Sequence, residues 1–295
     1  VMLREPIINQ VAYMANMCNP YINQFPWRGE TLIETGARGN VDLFPCELWI
    51  NGTFQGFYFF GLAKDGNNYQ LDKNNVNHAA LEGTNQVATF WTQYNAGNWE
   101  MIAPDDMDSE VESNFSDFIF FIGNSNDAEF KTQASNYLKD LTKWIDYYIV
   151  CEMFMLVDNL AKNITMQTRN KGVSWIPFVY DGDLSFMILA TSANASVLTQ
   201  AQAQDLTIWN KLLTNFRPEI NNRFKVLYDN GILTFETIEQ LFIDIQSGIP
   251  KTVWDKEVSK WSAKYANVSG AFKVSGLINY YKNRLVWAKQ YFSYE

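Results

Sequence analysis

Histidine is almost missing from this chain: His78 is the only one in 295 residues. That excludes a multi-histidine metal centre, and a Ser-His-Asp triad would rest on His78 alone, which reads as an ordinary loop residue. Cysteine is nearly as scarce. Cys18, Cys46 and Cys151 are odd in number, far apart and without a C-x-x-C pair, so neither a disulfide scaffold nor a zinc site is indicated. No uncharged apolar run reaches the roughly 18 residues of a membrane span, and the opening VMLREPIINQ has no signal-type apolar stretch. A basic block is also lacking. The 23 Lys and Arg stand against 32 Asp and Glu, a formal charge of −9, which removes the electrostatic support for nucleic-acid binding.

What is present is a globular composition, 47% hydrophobic and 19% charged, with an aromatic share of 16% that calls for large packed surfaces or a partner-binding face. Leu3, Ile7, Val11, Met14 and Met17 recur near helical spacing and predict an opening helix. Two apolar runs flank Asn51-Gly52, the strongest short-range hairpin signal, and predict a hairpin over residues 45–62. Residues 64–110 are polar and Asn-rich, with short strands expected in QVATFWTQY and NWEMIA. Acids early in PDDMDSEVESNFSDFIFFI mark a helix start. A long helix is expected over about 133–157, with Leu138, Leu141, Trp144, Ile145, Tyr148 and Ile149 on one stripe. The runs ITMQTRN and VSWIPFVY read as two short strands around a turn at Asn170–Gly172, and the pattern is helical from about 205 onward. The reading is one α+β domain over 1–295, with a mixed part at about 1–130 and a mainly helical part at about 131–295.

Two acidic segments carry the chemistry. VDNLAKN places Asp158 and Asn163 just past the long helix, and YDGDLSF places Asp181 and Asp183 after the strand pair. Asp, Asn and Gly are ordinary turn residues, and singly each segment reads as a turn. Together they have the order a phosphoryl transferase needs: an Asp, an Asn five positions later, a short hairpin, then another Asp. Hard oxygen ligands of this kind suit Mg²⁺ or Mn²⁺.

The segments resemble the spore coat protein H (CotH) kinases, an atypical protein-kinase-like family. LREPIINQVAYMA is similar to that family's Arg-containing helix, PCELWINGTFQGFYFF to its hairpin, IDYYIVCEMFMLVDNLAKNITMQT to its helix and catalytic loop, and WIPFVYDGDLSF to its D-x-D metal segment. The likeness runs roughly from residue 3 to 292. It implies an atypical kinase-like fold, with a hairpin-containing N-terminal part and a mainly helical C-terminal part. It also implies binding of ATP with Mg²⁺ or Mn²⁺ and phosphate transfer to protein hydroxyls. Under that resemblance Asp158 is the catalytic base and Lys162 a stabiliser of the transferring phosphate. Asn163, Asp181 and Asp183 are metal ligands, and Arg38 and Lys64 nucleotide contacts. Where the family's hairpin runs into a glutamate this chain has Leu62, and the glycine usual after the D-x-D segment is absent. The competing expectation is therefore a catalytically weak or inactive binding protein on the same scaffold. In either case the expected partner is a protein substrate or a coat or surface component, and the setting a spore coat, a cell surface or a phage virion.

Overall fold

The computed structural model of the chain describes residues 3–20, 39–41, 43–61, 64–66, 68–182, 185–186, 199–262 and 273–294. Helix α1 (Arg4–Met17) forms on the anticipated apolar stripe and buries Ile7, Ile8, Val11, Ala12 and Ala15. Pro6 lies in its first turn, where a missing N–H costs nothing. Strands β1 (Leu43–Ile50) and β2 (Thr53–Gly61) pair antiparallel across Asn51 and Gly52. Both turn residues have positive φ, 49° and 74°, the backbone that matches the twist of the flanking strands.

The second sheet carries the candidate site. It joins β3 (Ala79–Gly83), β4 (Trp99–Ala103), β5 (Ile164–Thr168) and β6 (Ile176–Val179) in the antiparallel order β4-β3-β5-β6. Two strands from before residue 130 thus flank two from after it. Every residue of β3 is buried, so its apolar run shows no alternation. Helices α2 (Ser109–Asn124) and α3 (Asp127–Tyr137) follow β4, and α4 (Leu141–Phe154) leads into the first acidic segment. Asp108 caps α2, accepting from the N–H groups of Glu110 and Val111. Then come α5 (Thr207–Asp229), α6 (Phe235–Ser247), α7 (Lys251–Lys260) and α8 (Val274–Tyr291).

Residues Lys143 to Phe154 of α4 are all buried, between α1, α5, α8 and β6. Two ion pairs stitch this helix to its neighbours. Asp146 meets Arg223 of α5 at 2.6 Å, and Glu152 meets Arg284 of α8 at 3.0 Å.

Two expectations need correction. The helix expected over 133–157 is two helices, α3 and α4, broken at residues 138–140. There the chain leaves the helix to pair with Trp175: Leu138 forms a bridge to it, and Lys139 N donates to its carbonyl at 3.0 Å. Asp140 turns the chain with a left-handed φ of 56°. QVATFWTQY is a series of turns and not a strand, because Phe90 and Trp91 leave the surface altogether to fill the core, both at 0% exposure. The adjoining sequences IWNKLLTNF and PEINNRFKVLYDN form one helix, α5. It is kinked at Phe216, two residues before Pro218, whose ring cannot sit in a straight helix.

Candidate active site

The loop between α4 and β5 is held by aromatic side chains from three separate segments. Trp91 and Trp209 both donate their indole N–H to the carbonyl of Leu160, at 2.7 and 2.6 Å. Tyr147 of α4 donates its hydroxyl proton to the carbonyl of Asn159 at 2.7 Å. Part of the high aromatic content is thereby explained: these rings are core, and their polar edges fix a loop. The buried side chain of Asn159 spans the two acidic segments, donating to Tyr180 O at 2.6 Å and to Asn163 O at 3.2 Å.

Asp158 opens this loop in a short 3₁₀ turn, Asp158–Leu160. Its carboxylate accepts from Gln86 Nε2 at 3.4 Å and lies 3.9 Å from Lys162 Nζ. Asn163 closes the loop with a left-handed φ of 51°, and its N–H donates to Gly83 O of β3 at 2.8 Å. Asp181, just past β6, has a matching φ of 54°. Asn163 Nδ2 donates to Asp181 Oδ2 at 3.1 Å, so the two acidic segments meet side chain to side chain.

Gly182 follows because α1 passes close by. A Cβ there would stand 2.9 Å from Ile8 Cδ1 and 3.1 Å from Glu5 Oε2. Arg4, buried at the head of the same helix, donates from Nη1 to Ser185 O at 2.8 Å and secures the chain beyond the D-x-D segment.

Lys64, just past β2, reaches this site. Its Nζ contacts Glu82 Oε2 of β3 and lies 4.6 Å from the centre of the Tyr180 ring. Burial pulls its amine below the ordinary lysine value, against the opposing fields of Glu100 and Asp181. Glu82 is 6% exposed, which no carboxylate sustains without a partner. Sequence reasoning missed Glu82, although an acid inside the otherwise apolar ALEG was a usable signal. It also missed Asn159, Gln86 and Tyr180, whose parts depend on neighbours distant in the chain.

Of the residues singled out from the sequence, Asp158, Lys162, Asn163, Asp181 and Lys64 gather around the ends of β5 and β6. Arg38, Asp183 and Leu62 lie outside the described residues. Among the described residues no group of three or more His, Cys, Asp or Glu side chains converges as a metal cage. Asn163 and Asp181 nevertheless fit a hard cation of the Mg²⁺ type. Such an ion takes one or two protein oxygens and completes its shell with phosphate oxygens and water.

Asp158, the Asn163–Asp181 pair and the Lys64–Glu82 pair stand around one strand hairpin. The family model described as CotH kinase protein matches residues 41–288, and the chain belongs to that family. No curated protein matches it. Among the described residues no helix is long and apolar enough to cross a membrane.

Proposed function

We propose that this chain is a protein kinase of the CotH type that transfers the γ-phosphate of ATP, bound with Mg²⁺ or Mn²⁺, to a protein hydroxyl. The contact between Asn163 and Asp181, beside Lys64 and on a loop that also carries Asp158, is the observation that supports it most directly.

Phosphoryl transfer asks the protein for position and charge more than for covalent chemistry. Asn163 and Asp181 would hold the metal, with Asp183 joining them from the sequence pattern. The bound cation supplies positive charge over the phosphate oxygens. Lys64, oriented by Glu82, contacts the nucleotide phosphates, with Arg38 as a further contact. Asp158 accepts the proton of the attacking hydroxyl as its oxygen bonds to phosphorus and the bond to the departing ADP oxygen breaks. Lys162, near Asp158, places positive charge beside the phosphoryl group in transit.

The test is calorimetric titration of ATP into the purified chain with Mg²⁺ or Mn²⁺, repeated with a chelator and with Asp181→Ala. Metal-dependent binding lost in Asp181→Ala is expected. No binding under any condition would sink the reading. Phosphate transfer to a mixed protein acceptor should then vanish in Asp158→Ala while nucleotide binding survives.

A second reading has one specific observation behind it. Phe44, Trp49, Ile50, Tyr58 and Phe60 on the β1–β2 hairpin are all exposed, which suits a protein-binding component of a spore coat, cell surface or virion. Nucleotide binding without measurable transfer would favour it.

A further inference from the structure

The hairpin of β1 and β2 forms a two-stranded sheet of its own, and its two faces differ in what covers them. Side chains alternate along a strand, and the register sets Pro45 opposite Phe59 and Glu47 opposite Phe57 on one face. Helix α7 packs there. The Trp254 ring lies 5.3 Å from that of Phe57, and Lys256 Nζ meets Glu47 Oε2 at 3.1 Å.

The other face carries Phe44, Cys46, Leu48 and Ile50 from β1, with Tyr58 and Phe60 from β2. Phe44 stands directly opposite Phe60, and Cys46 opposite Tyr58. Cys46 is half-buried, and the other five are exposed, from 40% at Leu48 to 63% at Phe60. None is charged. Glu47, the single charged residue in either strand, is turned to α7 instead. An antiparallel sheet packed on one face ordinarily shows polar side chains to water on the other. This hairpin is apolar on both, a pattern that marks a contact surface.

We infer that this face is where two copies of the chain meet, stacked face to face about a two-fold axis. A flat apolar strip without charge is its own complement. Rotation lays it on itself and brings no like charges together, although each chain carries −9 overall. Two sheets stack about 10 Å apart, and the facing aromatic pairs fill that gap. The area suffices. A fully covered aromatic side chain buries about 150–250 Å². At the exposures given, each face offers roughly 500 Å² and the two copies together roughly 1,000 Å², the size at which specific interfaces begin. Edge-to-edge pairing fits less well, because Pro45 leaves a gap in the N–H row of β1.

The experiment is sedimentation of the purified full chain over about 1–100 µM, the range in which an interface of this size associates. A concentration-dependent monomer–dimer equilibrium is expected, with no larger species, because a two-fold contact closes on itself. Phe60→Asp buries a charge twice in each dimer and should weaken association at least about tenfold. Phe44→Asp, on the other strand, should act alike, and Phe60→Leu should keep the dimer. Val286→Asp, at an exposed apolar position on α8, should leave association as in the parent. A monomer across the whole range would overturn the inference, and an apolar dye then names the occupant. Dye binding that Phe60→Asp removes assigns the face to a different protein; no dye binding means that the chain covers the face itself. A dimer as tight in both aspartate variants as in the parent would also overturn it, since the contact would then lie elsewhere.

Discussion

Asn163 and Asp181, separated by 18 positions, both adopt left-handed backbone conformations and meet through a single hydrogen bond of 3.1 Å. Asn is the side chain that tolerates that backbone best after glycine. At this corner it both turns the chain and presents an amide to the carboxylate.

The two roles separate by substitution. Asn163→Gly keeps the turn and removes the amide, so unfolding free energy should change little. Asn163→Ala loses both, and the left-handed backbone should cost it about 1 kcal/mol. Binding of ATP with Mg²⁺ should weaken alike in the two variants. If Asn163→Ala is as stable as Asn163→Gly in urea, the backbone argument fails. If both bind nucleotide like the parent, Asn163 is a turn residue only.

The pairing of Lys64 with Glu82 makes a second prediction. Lys64→Met leaves a carboxylate buried without its cation, a loss of about 1–3 kcal/mol. Adding Glu82→Gln should recover most of that stability, because a neutral amide is far cheaper to bury. It should not recover nucleotide affinity. A double-mutant cycle on stability alongside ATP titration separates the two effects. Additive stability losses would show that the pair is not coupled.

What was legible in the sequence was local. Asn51-Gly52 fixes its turn by backbone preference alone, and Asp108 caps its helix from one residue away. The acidic segments stood out by their order along a loop and a hairpin, and the structure brings them together through Asn163 and Asp181. What escaped depends on distant neighbours. Nothing near Leu138 ends a helix; Trp175, far along the chain, pairs with it and does so. Phe90 and Trp91 look like strand residues until the core around Trp144 and Trp209 takes them. Glu82 gains meaning only when β3 lies beside β5 and the chain leaving β2 brings Lys64 across. Helix α7 falls inside the helical pattern, but its packing partner was not legible. Its Trp254 and Glu257 serve Phe57 of the hairpin, by a ring contact at 5.3 Å and a hydrogen bond at 2.8 Å.

The ion pair between Glu152 and Arg284 should dominate stability in the helical part. Both side chains are essentially inaccessible, and Arg284 also donates from Nε to the carbonyl of Glu152 at 2.9 Å. Removing one partner strands the other charge, so Arg284→Met should cost about 3–5 kcal/mol in chemical denaturation. The double variant Glu152→Gln with Arg284→Met should be more stable than Arg284→Met alone. The opposite order would mean that the pair holds the helices through packing and not through charge.

Lys143 makes stability depend on pH in a definite direction. Its ammonium is fully buried, donating to Asn16 Oδ1 at 2.6 Å, and burial pulls its pKa down to about 8 against the opposing fields of Asp146 and Asp140. In the unfolded chain the group titrates near 10.4. Below pH 8 both states hold the proton and Lys143 adds no pH dependence. Between about 8 and 10 the unfolded state holds a proton that the folded state has lost, so stability rises with pH, by up to about 1.4 kcal/mol per unit. Buried Tyr69, Tyr147 and Tyr281 act in the opposite sense above pH 10, because burial keeps their protons on in the folded state. That contribution is shared by parent and variant and cancels in a comparison. The difference in unfolding free energy between the parent and Lys143→Met, measured in urea at pH 8, 9 and 10, should therefore grow in the parent's favour. A constant difference across that range would show that Lys143 keeps its charge in the folded state, held by Asp146 and Asp140.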